Sequence, residues 1–204
     1  MEIDVSVEGI VPLLMNNPAS MATQKTGKQA VYDPQTEADI RLYKNADGQV
    51  CVPSTHVLAA LRESGGDFKI PGKGKKTFKK VLYGLLRVSP EQIPLVYEGD
   101  WEIDARHVVI NKARVMKWRP KFNKWRLDFK ITTVTEDSIY PGTVRGILES
   151  AGTFNGVGDF RPLFGLFKVT SFKDASNGKE IGGGVAATPK ATPKKPTQIS
   201  DVVG

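Results

Sequence analysis

The stretch Gly152-Thr-Phe-Asn-Gly-Val-Gly-Asp-Phe-Arg-Pro-Leu-Phe-Gly-Leu-Phe-Lys-Val169 decides how this chain is read. Its glycines open backbone conformations that other residues avoid, and the loop they mark runs directly into a last strand. On its N-terminal side Pro141 suits the first position of a helix. Val144, Ile147, Leu148 and Ala151 then recur at helical spacing, with Gly152 as the stop. A helix, a glycine-rich loop and a strand therefore close the folded part.

Working outward, Ile3, Val5 and Val7 alternate with Glu2, Asp4, Ser6 and Glu8, the period of a half-buried strand. In Trp125 to Val134, Trp125, Leu127, Phe129 and Ile131 share one face, and Arg126, Asp128 and Lys130 take the other. Arg106 to Trp118 reads as the strand before it, joined through Arg119-Pro-Lys-Phe-Asn-Lys. Ser54, after Pro53, is placed to cap a short helix carrying Val57, Leu58 and Leu61 up to Gly65-Gly66. Phe78, Val81, Leu82 and Leu85 have the spacing of a second helical segment that turns Lys76, Lys79 and Lys80 outward. Ile40 to Tyr43 and Val50 to Val52 flank Asp47-Gly48, a hairpin signal.

Leaving aside insertions at about residues 16–50 and 66–100, the order is β, α, β, β, α, β. It predicts an α+β fold of the ferredoxin-like (RRM-like) split βαβ kind, with helices on one face of the sheet. If the first and third strands pair, the uncovered face sets Glu2, Asp4 and Glu8 beside Arg126 and Lys130, and those charges neutralise one another. Residues 1–172 are expected to form the domain. Residues 173–204, with a Gly triplet and Thr-Pro breaks, read as a flexible tail.

The chain has 204 residues, of which 29 are Lys or Arg and 22 Asp or Glu, a formal charge of +7. With 40% hydrophobic and 25% charged residues it resembles ordinary globular domains, which argues against global disorder or a fibrous architecture. No apolar run nears the roughly 18 residues of a membrane helix, and MEIDVSVEG lacks the features of a signal peptide, so a cytoplasmic location is expected. Cys51 is the single cysteine and His56 and His107 the two histidines, which leaves no disulfide and no ligand set for structural zinc. Neither a metal nor a cofactor is expected.

The basic residues gather in two groups. Lys69, Lys73, Lys75, Lys76, Lys79 and Lys80 surround Gly72 and Gly74. Arg106, Lys112, Arg114, Lys117, Arg119, Lys121, Lys124, Arg126 and Lys130 are interleaved with Trp118, Phe122, Trp125 and Phe129. Cations mixed with aromatics suit a phosphate backbone and unstacked bases. In the glycine-rich loop, Gly156 and Gly158 are expected to let the backbone approach a strand, with Arg161 meeting a phosphate and Phe160 a base. The residues expected to contact nucleic acid are thus Lys73, Lys75, Lys76, Lys80, Arg114, Lys117, Trp118, Arg119, Lys121, Gly156, Gly158, Phe160 and Arg161.

Val52-Pro53-Ser54-Thr-His-Val-Leu-Ala-Ala-Leu61-Arg62, the loop Gly152–Gly165 and the element order across residues 1–172 resemble the RAMP superfamily. That resemblance implies the ferredoxin-like RNA-binding proteins that form the backbone of CRISPR effector complexes. The chain also resembles phage and prophage proteins at Pro12-Leu-Leu-Met-Asn-Asn-Pro18, Ala113-Arg-Val-Met-Lys-Trp-Arg-Pro120 and Gly156-Val-Gly-Asp-Phe-Arg-Pro162. This implies a phage context and, with it, a host cytoplasm.

Chemistry is not expected. Some RAMP proteins cleave RNA with an acid after the first strand, and here Asp33 is the first acid beyond Glu8. Gly72-Lys-Gly-Lys-Lys-Thr lacks the glycine spacing of a P-loop. The reading is a non-enzymatic protein that binds single-stranded DNA or RNA and self-associates along it in phage-type replication or recombination. Its rivals are a guide-RNA backbone subunit, a phage structural or assembly protein, and a metal-dependent ribonuclease acting through Asp33.

Overall fold

Strict alternation in the first strand carries through to the three-dimensional structure, a computed structural model that describes residues 1–18, 33–110, 112–134 and 139–182. Along the chain lie β1 (Glu2–Gly9), β2 (Leu13–Leu14), α1 (Pro34–Asp39), β3 (Cys51–Pro53), α2 (Ser54–Ser64) and α3 (Leu82–Leu85). They are followed by β4 (Leu86–Ser89), β5 (Gln92–Tyr97), β6 (Glu102–Ile110), β7 (Ala113–Phe122), β8 (Trp125–Thr133), α4 (Pro141–Ser150) and β9 (Phe167–Asp174). The fold is mixed α+β, with antiparallel sheets and few helices.

The larger sheet runs β3-β5-β8-β1-β9, and β4 shares the β5 edge of β8. Ile3, Val5 and Val7 of β1 lie on one face with Leu127, Phe129 and Ile131 of β8 and Phe167 and Phe172 of β9. Val57 and Leu61 of α2 and Val144, Ile147 and Leu148 of α4 close the core over that face. Leu127 and Leu61 are fully buried, so truncating either to alanine should cost about 2–5 kcal/mol. On the opposite face β1 places Asp4 across from Lys130 and Glu8 across from Arg126, while Lys168 of β9 pairs with Glu8 at 3.0 Å. Lys130 lies 3.8 Å from Glu2 and 3.7 Å from Asp4, and Arg126 binds Asp128 at 3.0 Å. The expected cancellation of charge on this face is what the strand register produces.

The strand expected at Arg106–Trp118 is not part of this sheet. It falls in β6 and β7, which pair with each other and with β2 in a separate three-stranded sheet. The reason is edge occupancy. One edge of β8 is taken by β1 and the other by β4 and β5, where Leu86–Ser89 face Lys130–Thr133 and Leu95–Tyr97 face Trp125–Leu127. Residues 86–97, read from the sequence as insertion, therefore belong to the main sheet, and the hairpin β6–β7 lies outside it.

Four smaller differences have local causes. The helix expected at Phe78–Leu85 is a 3₁₀ turn at Phe78–Lys80 followed by the four residues of α3, because Leu86 already pairs with Thr133. Gly152 does not end the helix of α4, which continues as a π-helical turn over Ala151–Asn155. A Cβ on Gly152 would collide with the Phe167 carbonyl, so the glycine serves close passage. Asp33 starts an unexpected helix, α1, by accepting from Gln35 N and Thr36 N. Finally, the segment after β9 folds back: Ile181 N donates to Phe172 O, and the Arg145 guanidinium binds Glu180 at 2.9 Å and the Ile181 carbonyl. Residues 173–182, expected to begin a flexible tail, are thus packed against the sheet and α4; the rest of the expected tail, residues 183–204, lies outside the described residues. The hairpin signal at Asp47-Gly48 is realised as a bridge between Lys44 and Val50, with Gly48 at φ +77°. No helix among the described residues is long and apolar enough to cross a membrane.

Candidate functional site

The glycine-rich loop docks on the root of the β6–β7 hairpin. Val157 N donates to Gly165 O, Gly165 N to Pro12 O and Asp159 N to Leu14 O, so the loop lines the edge of β2. Gly158 sits at φ +83°, and a Cβ there would come 2.6 Å from the Leu14 carbonyl oxygen. A Cβ on Gly156, at φ +69°, would come 2.7 Å from the Gly165 carbonyl oxygen. The close approach these glycines permit is to the chain's own backbone.

Register decides which charges meet the loop. In the hairpin Asp104 faces Arg119 and Arg106 faces Lys117, and cross-strand partners share a face. Arg119 is buried, 4% exposed, with Nε 2.8 Å from Asp159 Oδ2. The N–H is not aimed at that oxygen, so the contact is an ion pair without a hydrogen bond, and Arg119 Nη1 is buried with no partner among the described residues. The Phe160 ring lies near two guanidinium groups, 5.6 Å from Arg119 and 5.5 Å from Arg106. Arg106 also covers the Phe164 ring at 4.6 Å, within the range of a cation–π contact, and is held by both oxygens of Asp104.

Further cations back this cluster. Arg41, beyond α1, is 4% exposed and pairs with Glu37 at 2.7 Å. Burial pulls its guanidinium below the ordinary value; the Glu37 charge opposes this and the Arg119 charge adds to it. Lys117 is lowered by burial and then by the charges of Arg41 and Arg119. His56, in the first turn of α2, meets the Tyr43 ring edge-on at 5.3 Å, and its Nδ1 is buried with no hydrogen-bond partner among the described residues. Burial, followed by the Arg161 charge, lowers its pKa. Arg161 is exposed, and its field reaches both His56 and Glu63. Glu63 binds Lys79 at 2.6 Å, so Arg161 and the lysine-rich segment flank α2.

The residues singled out from sequence divide accordingly. Lys73, Lys75, Lys76 and Lys80 are exposed. Their loop is a closed turn, with Ile70 N donating to Lys76 O and Lys73 N to Ile70 O, and with Gly72 and Gly74 at φ +71° and +63°. Arg114 is exposed, Lys117 and Trp118 are half-buried, and Lys121 is tied to Glu102 at 2.6 Å. Lys117, Arg119, Gly158 and Phe160 come together, whereas the lysine turn stands apart from them. Arg119 is corrected from a surface contact to a buried one. Arg106 gains a central role, and Arg41, Asp159 and Phe164 are additional members; a carboxylate next to Phe160 was the one visible signal of such a pairing.

Asp33 spends its carboxylate on helix capping, and the hydrogen bond from the Thr36 side chain is the main cause holding its pKa below the ordinary value. No group of three or more His, Cys, Asp or Glu among the described residues is placed to hold a metal ion. No protein-family model matches the chain, and no curated protein matches it.

Proposed function

We propose that this chain is a non-enzymatic protein that binds single-stranded nucleic acid and coats it with copies side by side, in phage-type DNA replication or recombination. One observation carries the reading: how the positive charge is distributed. On the open sheet face Arg126, Lys130 and Lys168 each have a carboxylate within ion-pair distance. Among the described residues, by contrast, Lys73, Lys75, Lys76, Lys80, Arg114 and Arg161 are exposed and form no ion pair, so their charge is available to phosphates.

The strand order supports a ferredoxin-like reading of the larger sheet. If β4 and β5 count as one interrupted strand, the order is β9, β1, β8, β4/β5, with α2 and α4 as the two crossovers on one face. In this reading the β6–β7 hairpin and the lysine turn are additions that carry charge away from a neutral sheet. The test is a fluorescence titration with matched single-stranded DNA, single-stranded RNA and duplex. Tighter binding of single strands supports the proposal, and equal weak binding of all three reduces the surface to generic basicity.

A further inference from the structure

We propose that the root of the β6–β7 hairpin holds a nucleotide site that Asp159 and Phe160 fill in the free protein, a carboxylate standing where a phosphate will sit and a ring where a base will stack. This rests on the proposed binding of single strands and adds to it a specific, self-occupied site.

The two residues present the two chemistries of a nucleotide side by side. The Asp159 carboxylate neutralises Arg119 at 2.8 Å, and the Phe160 ring meets Arg119 and Arg106 at 5.6 and 5.5 Å. A guanidinium plane accepts a base as readily as a phenyl ring, and its fork matches phosphate oxygens in pairs. The present occupant is an imperfect fit. Arg119 Nε and Nη1 and Asp159 Oδ2 are all buried without hydrogen bonds among the described residues, whereas a phosphate brings several acceptors to the same fork. Lys117 and Arg41 add two more cations to the cluster, beside the carboxylates of Asp159 and Glu37.

The occupants are also free to leave. The Asp159 side chain is 31% exposed and Phe160 37% exposed, so withdrawing them opens no void in the core. Phe160 holds φ +57°, a left-handed conformation costly for a bulky aromatic residue, so its present placement carries backbone strain. The loop base is held by other bonds, Val157 N donating to Gly165 O and Gly165 N to Pro12 O, while the Asp159 amide stays on Leu14 O and only the two side chains withdraw. A direct-contact role for Phe160 predicts that removing the ring weakens binding; self-occupation predicts the reverse.

The experiment measures binding of labelled single-stranded DNA and single-stranded RNA oligomers to full-length wild type, Asp159→Asn, Phe160→Ala and the double variant, with thermal melting alongside. If the filled state holds about nine-tenths of the population, the double variant binds about tenfold tighter. As a readout that needs no destabilising change, 4-fluorophenylalanine at position 160 of the full chain should shift its fluorine resonance toward that of an unstacked ring when an oligomer binds. Variants that bind no tighter, or a resonance that stays fixed while the oligomer binds, overturn the site and leave strand binding intact. If neither wild type nor any variant binds either oligomer, strand binding itself fails and the site falls with it. The DNA and RNA arms show which strand it takes.

Discussion

Arg119 Nε lies 2.8 Å from Asp159 Oδ2, an ion pair that joins the basic hairpin to the glycine-rich loop beside the contacts of Arg106 with Phe160 and Phe164. Because the guanidinium is buried, its loss leaves a carboxylate facing the former site without its counter-charge. Arg119→Met should lower stability by about 2–4 kcal/mol, toward the lower end because Asp159 is partly exposed. For a chain of this size that is a fall in Tm of roughly 5–12 °C. Thermal melting checks it, and an unchanged Tm would return Arg119 to the surface.

Two glycines with similar backbone angles should respond differently to the same change. Gly158 has φ +83° and no room for a Cβ beside Leu13 and Leu14, whereas Gly72 has φ +71° and open space around it. Gly72→Ala should cost about 1 kcal/mol from the backbone alone, and Gly158→Ala at least about 2 kcal/mol. Denaturant unfolding of the two variants measures the gap.

Much of the fold was legible because burial writes itself into periodicity. The alternation in β1 and β8, the apolar spacing of α2 and α4 and the neutral open face all follow from residues near in sequence. The β4–β5 edge was not legible: Pro90 and Pro94 break it into pieces too short to show a period, so it passed for an insertion. The burial of Arg119 was equally hidden, since its counter-charge comes from a distant loop and only the folded register aligns them. The exposed lysine turn was legible; the pairing of Asp159-Phe160 with the hairpin required the structure.

His56 gives the protein a pH dependence of known sign. Its folded pKa is depressed, chiefly by burial, so the unfolded chain binds the proton more readily. Stability is therefore complete above the unfolded value near 6.5 and falls as pH drops through it toward the folded value. The lowered carboxylates Asp33, Glu63, Glu102 and Asp174 contribute only at more acidic pH. Tm should fall between about pH 7 and 5.5 in wild type and fall less in His56→Gln, as melting across that window would show.

Arg145 holds the segment after β9. It joins Glu149, Glu180 and the Ile181 carbonyl, and the Ile181 amide is bonded to Phe172 O. Arg145→Ala should speed hydrogen exchange at the Ile181 amide at least tenfold while amides of β1 keep their protection. Equal exchange in both proteins would remove the latch. A truncation meant to spare the folded body should accordingly end after residue 182.

The central claim is that exposed, uncompensated cations on the folded body engage the phosphates of a single strand. The most direct test follows Kd for a single-stranded oligomer from low to high salt, in wild type and in a protein carrying Lys73→Glu, Lys75→Glu and Lys76→Glu. Each phosphate contact contributes a slope of about 0.7 in log Kd against log salt. The account predicts a steep wild-type dependence, a slope reduced by about 2 in the variant, and equal Tm for both. Affinity that is flat with salt, or identical in the two proteins, would contradict it.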